Sequence, residues 1–181
     1  MGHSYSPVDA VMGRLFDDKH KKKSGGQERP RRGHSSAQRL ARTAQAQRPS
    51  AVFKLIRSGG TTSRAGLKGQ LEYVFDKADD VLDAQGRYEG QGGLSNADMN
   101  RVTRLWEGDM WGTAKTGYTS HLLLSYPIGT AVGDVSAITK AVCEEMFQSG
   151  DVHYDYVAGI HTDRDHPHAH VIVNRRGMTV G

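Results

Sequence analysis

The chain has 181 residues, enough for one domain of ordinary size, and a formal net charge of +4 at pH 7. Its single cysteine, Cys143, excludes an internal disulfide and indicates a reducing compartment. The sequence contains neither an apolar run of the roughly 20 residues that cross a bilayer nor a signal-peptide core, which argues against a membrane partner and predicts a soluble, cytoplasmic protein.

The basic balance belongs to the first 50 residues. They hold 11 Lys and Arg against 4 Asp and Glu, a net charge of +7, whereas residues 51–181 hold 13 against 16, a net charge of −3. With little apolar content, residues 1–50 bury too little surface to offset the entropy lost on ordering, so they are predicted to be a flexible, disordered basic arm. Two interpretations stay open: a sequence-independent contact with DNA phosphates, or a solubilising tail.

Residues 51–181 begin with a strand and an amphipathic helix. The apolar run at residues 51–57 predicts the strand. Apolar residues then recur at helical spacing and predict the amphipathic helix: Leu67, Leu71, Val74, Phe75 and Ala78. Tyr73 lies off this stripe, on the same side of the helix as Gly69 and Lys77. Alone it would be an edge tyrosine with its hydroxyl in water, but the same position also suits a hydroxyl presented to a cleft.

A glycine-rich loop is predicted over residues 83–100, followed by a short helix carrying Val102, Leu105 and Trp106. Trp106 and the nearby Trp111 admit two interpretations. They stack on nucleic-acid bases, or they close the core, which is the usual role of such residues.

A second strand and a second long helix follow. Residues 120–126 are an apolar run stopped by Pro127, which predicts a central strand with Ser125 at its exit. The helix after it is predicted to direct four apolar residues inward: Val135, Ile138, Val142 and Met146.

The end of the chain predicts a β-hairpin rich in histidine. Residues 154–161 form one strand, an Asp-rich loop spans 162–167, and residues 168–174 alternate with the period of a half-buried strand. In a regular antiparallel pair His161 faces His168, and Gly159 faces His170 and leaves room above it. Solvated surface histidines are the plain alternative, but three imidazoles around one point favour a metal site.

The predicted ligand set also indicates the kind of metal site. Neutral imidazoles leave the ion its full charge and open positions, which is typical of a catalytic centre. Asp163 and Asp165 in the loop are candidates to orient the ligands. The element order, with two strands at the end, predicts an α+β fold with helices on one face of a mainly antiparallel sheet.

Three motifs resemble those of the conjugative relaxases of the histidine-hydrophobe-histidine (HUH) endonuclease superfamily, a group that includes the MOBP-type relaxases and the endonuclease that nicks T-DNA borders. Leu71-Glu72-Tyr73 is similar to the nucleophile motif. The segment from His121 to Pro127 is similar to the second motif, and the segment from His161 to Asn174 to the metal motif. The three motifs span nearly all of residues 51–176.

The resemblance implies a function and a role for each site residue. The domain would nick one strand of single-stranded or melted origin-of-transfer or border DNA, forming a 5′-phosphotyrosyl intermediate. Tyr73 would be the nucleophile, His161, His168 and His170 the metal ligands, and Asp163 or Asp165 the helper of a histidine or of the tyrosine. DNA contacts are expected from five residues: Ser125, Lys77, Asn174, Arg175 and Arg176.

The resemblance also implies partners and a boundary. Mg²⁺ or Mn²⁺ is the expected cofactor, with Zn²⁺ compatible with imidazole ligands. Accessory relaxosome proteins and the coupling protein of a type IV secretion system are the expected partners, and the DNA-linked protein would be exported to a recipient cell. Family domains continue past the metal motif, so residues 51–181 are expected to be a catalytic domain truncated at its C-terminal end.

Two other functions compete. A histidine-triad nucleotide hydrolase fits the alternating histidines at 166–170, but it needs no metal and leaves Tyr73 and His161 without a role. A non-catalytic DNA-binding accessory module would bind through the basic arm and use a metal only to stabilise the hairpin.

Overall fold

In a computed structural model, the described part of the chain, residues 51–112 and 117–180, forms five strands and three helices. In chain order they are β1 (Val52–Leu55), α1 (Arg64–Phe75), β2 (Asp80–Asp83), α2 (Asn96–Glu107), β3 (Thr119–Ser125), α3 (Val132–Phe147), β4 (Val152–His161) and β5 (His168–Thr179). The predicted basic arm, residues 1–50, lies outside the described residues, so its disorder and the domain boundary at residue 50 stay predictions.

The five strands make one sheet in the order β1-β3-β5-β4-β2, and every pairing is antiparallel. The last strand of the chain, β5, is therefore the central strand, with β3 and β4 beside it. Strand β5 has buried apolar residues on both faces of the sheet. Ala169, Val171 and Val173 point to one face, and Ile172 points to the other. The predicted α+β fold with a mainly antiparallel sheet is confirmed.

Helices cover both faces of the sheet, so the expectation that they lie on one face is wrong. Val135, Cys143 and Phe147 of α3 share a core with Ala169 and Val171. On the other face, residues of α1 and α2 pack against Val157 of β4 and Ile172 of β5: Leu67, Leu71, Val74, Val102 and Trp106. The period-two pattern placed His168 and His170 on the face of Ile172, and that is the face that α1 covers.

The face that α3 turns inward also differs from the prediction. Val135 is fully buried, but Ile138 is 46% exposed, and the buried stripe runs through Ser136, Thr139 and Cys143. The two hydroxyls can be buried because both are hydrogen-bonded, Thr139 to the Tyr126 hydroxyl at 2.8 Å and Ser136 to Asp80. An apolar pattern alone could not identify these positions.

Strand β2 and the true end of α1 were not predicted. The helix ends at Phe75 rather than at Ala78, and β2 follows it, with Val81 pairing with Gly159 of β4. Only four residues long and bounded by Asp80 and Asp83, β2 has no periodicity strong enough to distinguish it from a loop. In α2, Leu105 is exposed, whereas Met99, Val102 and Trp106 are buried.

Within the described residues, no helix has the length and apolar character needed to cross a membrane.

Candidate active site

The β4–β5 hairpin has the predicted register. His161 pairs with His168, and Gly159 pairs with His170. On the other side of β5, Ser125 of β3 pairs with His168. The loop between the strands is fixed by Asp79, whose carboxylate accepts hydrogen bonds from the backbone N–H and the hydroxyl of Thr162, both at 2.7 Å. The histidines therefore lie at the hairpin end of β4 and β5, in the middle of the sheet, beside a loop that is hydrogen-bonded to the residue before β2.

The three predicted ligands form a compact cluster. Their ring centroids are 5.2 Å apart for His161 and His168, 5.5 Å for His161 and His170, and 5.2 Å for His168 and His170. Ligand atoms of His161, Asp163 and His168 all lie within 4.8 Å of one another. Imidazole nitrogens with a carboxylate oxygen are a donor set that suits a divalent transition-metal ion, so the residues present fit a metal.

Hydrogen bonds to the chain orient each imidazole. His161 donates from Nε2 to the carbonyl oxygen of Val74 at 2.8 Å. His168 donates from Nδ1 to the carbonyl oxygen of His166, two residues earlier, at 3.2 Å. His170 Nδ1 lies 2.8 Å from His121 Nε2. With His170 as the donor in that pair, every one of the three rings keeps one lone pair for a ligand role.

Burial favours the neutral form of two of the three imidazoles, those of His168 and His170, and of the neighbouring His121. Desolvation lowers the pKa of His170 to about 3 and that of His121 to about 4. Desolvation also lowers the pKa of His168 below the usual histidine value. A neutral imidazole is the form that binds a metal, so burial prepares His168 and His170 to bind a cation at neutral pH.

Gly159 has a different role from the one expected. It does not leave room above His170, because a Cβ there would lie 2.7 Å from the carbonyl oxygen of Val74. The missing side chain lets the last turn of α1 pack directly on the sheet. That close approach also places the Val74 carbonyl within reach of His161.

Tyr73 stands at this end of α1, beside the histidines. Its side chain is 67% exposed, and its ring meets that of His170 edge-on, with centroids 5.7 Å apart. A cleft of about 620 Å³ is lined by Tyr73 and other predicted site residues: Lys77, Ser125, His161, Asp163, Asp165, His168 and His170. The structure thus brings together the candidate nucleophile, all three histidines, both aspartates and two of the five candidate DNA contacts.

A second cavity of about 850 Å³ adjoins the cleft and shares Tyr73, Asp76 and Lys77 with it. Its far wall is formed by the start of α2, at Ser95 and Asn96. Tyr73 is therefore accessible from both cavities.

The structure does not bring Asn174, Arg175 and Arg176 into the cleft. Asn174 is 4% exposed, and its side chain donates to Asp109 at 2.7 Å and accepts from the Arg176 backbone at 3.0 Å. Arg175 donates to the Gly117 carbonyl at 3.1 Å. The Asn174 amide, a predicted DNA contact, is therefore occupied within the fold.

His121 is a site residue to which sequence reasoning gave no role. It lies on β3, two and four positions from Leu123 and Ser125, which both line the cleft. The alternation along β3 places it on the same face as Ser125, and this pattern could have identified it. Arg164, in the hairpin loop, also lines the cleft and adds a cation that was not predicted.

Comparisons with known proteins identify a family and relatives of this chain. The family model described as "Relaxase: MobA/VirD2-like, nuclease domain" matches residues 73–181, beginning at the candidate nucleophile. The chain is 30% identical over 141 residues to the T-DNA border endonuclease VirD2 of Rhizobium rhizogenes, covering 72% of this chain and 32% of that protein. It is also 30% identical over 148 residues to the VirD2 of Agrobacterium fabrum, covering 72% and 31%.

The chain thus spans about a third of the length of these curated relatives. No solved structure matches it. The family match covers more than half of the chain and includes Tyr73, the hairpin and all three histidines. The chain belongs to the family of MobA/VirD2-like relaxase nuclease domains.

Proposed function

We propose that this chain carries the catalytic domain of a DNA relaxase, which nicks one strand of single-stranded or melted DNA through Tyr73 with the help of a divalent metal ion. The observation that carries the proposal is the exposed tyrosine ring 5.7 Å from His170, at the edge of a cluster of three imidazoles. The relatives named T-DNA border endonucleases support the same chemistry.

The reaction exchanges one phosphoester bond for another. The Tyr73 oxygen bonds to phosphorus while the bond to the 3′ oxygen breaks, the phenol proton leaves, and the 3′ oxygen ends as a free hydroxyl. The protein then holds the 5′ phosphate of the downstream strand, so the same steps in reverse rejoin DNA without another energy source. The strand must be unpaired to enter the cleft.

Each residue of the cleft has a task in this proposal. A phenol with an ordinary pKa near 10 is a poor nucleophile at neutral pH, so it needs help to lose its proton. His161, His168 and His170 would hold the metal, which when bound supplies positive charge to the phosphate oxygens. Ser125 and Lys77 would position the strand. Asp163 lies near ligand atoms of His161 and His168, and Asp163 or Asp165 would orient a histidine or assist Tyr73.

We propose Mg²⁺ or Mn²⁺ as the working ion, with Zn²⁺ as the competitor that imidazole ligands also suit. The physiological substrate would be a specific nick site at an origin of transfer or a DNA border. Accessory relaxosome proteins and a type IV secretion coupling protein would act with it in the bacterial cytoplasm, before export of the DNA-linked protein. Membership in the relaxase family gives no support to the histidine-triad alternative.

Covalent capture tests the function directly. A pool of random-sequence single-stranded oligonucleotides, labelled at the 3′ end, is incubated with the protein and Mn²⁺ and then denatured. The label is expected to stay with the protein, because the tyrosine keeps the downstream fragment, whereas a 5′ label leaves with the free 3′-OH fragment. Binding without any covalent adduct would favour the accessory-module alternative.

The metal ligands make a prediction of their own. His168→Ala removes one of three imidazole ligands and is expected to lower Mn²⁺ affinity by more than roughly 100-fold, since loss of a mere supporting residue already costs about 10- to 100-fold. Titration calorimetry measures the affinity, and adduct formation should fall with it. His153→Ala is the matched control, a half-buried histidine near the other end of β4. Unchanged Mn²⁺ affinity in His168→Ala would contradict the ligand assignment.

A further prediction concerns the basic arm. Deleting residues 1–50 removes a net charge of +7. If the arm touches phosphates, the deletion should weaken binding to all DNA sequences alike and flatten the dependence of affinity on salt. Fluorescence anisotropy at several salt concentrations measures both effects. An unchanged salt slope would favour the solubilising-tail interpretation.

A further inference from the structure

The two tryptophans of the chain have opposite environments. Trp106 is 3% exposed and donates from its indole nitrogen to Asp155 at 2.7 Å, so it closes the core as the sequence favoured. Trp111, five residues later, is 65% exposed. The Arg176 guanidinium lies over its ring, 3.5 Å from the centroid. A large flat ring with a cation on one face is thus presented to solvent, where a core role cannot explain it.

This tryptophan lies on the same side of the sheet as the active site. His168, His170, Ile172 and Asn174 alternate along β5 and share one face, and Asn174 donates to Asp109, two residues before Trp111. Asn174 is four residues beyond His170, about 13 Å of strand, and Arg176 follows within the irregular part of the β4–β5 pairing. The start of α1 also lies near Trp111, because Arg64 forms an ion pair at 3.3 Å with Glu107, four residues before Trp111. Tyr73 is nine residues after Arg64, which is about 14 Å along α1.

We infer that Trp111 and Arg176 form a base-stacking subsite for the single-stranded DNA substrate, about 15–20 Å from Tyr73. An aromatic face binds any base by stacking, and the guanidinium beside it adds a positive charge for the phosphate backbone. At the rise of about 3.4 Å in a fully stacked strand, the separation corresponds to at most about six nucleotides. The inference rests on the proposed function, because it takes its ligand from the DNA that the domain would nick.

Between the two sites, the surface of α1 offers little obstruction. Ala65, Gly66 and Gly69 are all exposed, and a side chain added at Gly69 would meet nothing within 4 Å. A DNA backbone can therefore approach this helix closely. Small residues alone would not indicate a ligand, but here they lie on the helix that connects Tyr73 with the end of the sheet where the Trp111–Arg176 pair is found.

Binding of oligo-dT of increasing length tests the subsite. Trp111→Ala is expected to weaken binding of long oligonucleotides by roughly 5- to 100-fold, the scale of one stacked base. Oligonucleotides too short to reach from Tyr73 to Trp111 should bind as in the parent chain. Trp111→Phe should restore most of the affinity, because a phenyl ring also stacks. Phe53→Ala is the control, because Phe53 is also an exposed aromatic residue but lies on the edge strand β1. It pairs there with Leu124, which belongs to the core on the α3 side of the sheet.

A second oligonucleotide separates stacking from other effects. When abasic linkers replace the bases, the phosphates remain but stacking is lost, so the parent chain and Trp111→Ala should bind it equally. DNA should also quench the fluorescence of the exposed Trp111, and the quenching should disappear in Trp111→Phe. Equal affinity of Trp111→Ala and the parent chain at every length would overturn the inference. The inference would also be overturned if Trp111→Ala lost as much affinity for the abasic oligonucleotide as for oligo-dT, since the effect would then be structural.

Covalent capture keeps this result distinct from the nuclease proposal. If the parent chain forms an adduct but Trp111 has no effect on binding, the subsite is wrong and the function stands. If Trp111→Ala loses length-dependent binding while the parent chain forms no adduct, the subsite stands and the nuclease function is wrong.

Discussion

Tyr73→Phe is expected to abolish the covalent protein–DNA adduct and to leave single-stranded DNA binding nearly unchanged. Only the hydroxyl is removed, and the ring that contacts His170 at 5.7 Å is kept. Removing the nucleophile of a covalent enzyme typically lowers the rate by roughly 10⁴-fold or more. Adduct formation is measured as the 3′ label retained by the denatured protein, and affinity for the same oligonucleotide pool is measured by fluorescence anisotropy.

The other described tyrosines explain why Tyr73 should act alone. The Tyr126 hydroxyl bonds to Thr139 in the core, and burial raises the pKa values of both Tyr126 and Tyr156. Tyr88 is buried, and Tyr154 is half-buried beside Gly177. A buried phenol with a raised pKa is both harder to ionise and out of reach of a phosphate.

Tyr118 provides the matched control. It immediately precedes β3, at the end where Thr119 pairs with Asn174, while Ser125 at the other end pairs with His168. Its hydroxyl donates to the Gly112 carbonyl at 2.7 Å. Tyr118→Phe removes the same atom and should keep the adduct. An adduct that persists in Tyr73→Phe and vanishes in Tyr118→Phe would move the nucleophile to Tyr118 while leaving the reaction class intact.

The hairpin was predictable because its geometry is local. The alternation at residues 168–174 fixes which side chains share a face, and a short Asp-rich loop ending in Pro167 fixes the register of the two strands. The pairing of His161 with His168 follows from these two facts alone. The off-stripe position of Tyr73 was predictable in the same way, from the period of one helix.

Features that depend on distant segments were not predictable. The approach of Gly159 to Val74 joins residues far apart in the chain, and no periodicity encodes it. The contact of His121 with His170 requires that β3 lie beside β5. The position of α3 on the opposite face follows from β5 being central and apolar on both sides, which depends on the order of the strands.

Gly159→Ala is the prediction that tests how the fold holds the site. The new Cβ would lie 2.7 Å from the Val74 carbonyl oxygen, 3.1 Å from Val74 Cγ1 and 3.3 Å from His161 Nε2. A backbone oxygen at the end of a packed helix cannot move aside cheaply, so overpacking of this kind costs about 1–3 kcal/mol of unfolding free energy. Urea denaturation measures that loss.

The same substitution should also weaken catalysis, because the last turn of α1 carries Tyr73. Moving that turn away from the sheet would break the hydrogen bond from His161 to Val74 and shift Tyr73, the proposed nucleophile, relative to His170. A displacement near 1 Å can cost about 100-fold in rate. Gly133→Ala in α3 is the control for the chemical change. A Cβ added at Gly133 would meet nothing within 4 Å, so this substitution should be neutral or stabilise the helix by up to about 1 kcal/mol. If Gly159→Ala matched that control in both stability and adduct yield, the close packing of α1 on the sheet would not be what positions the tyrosine.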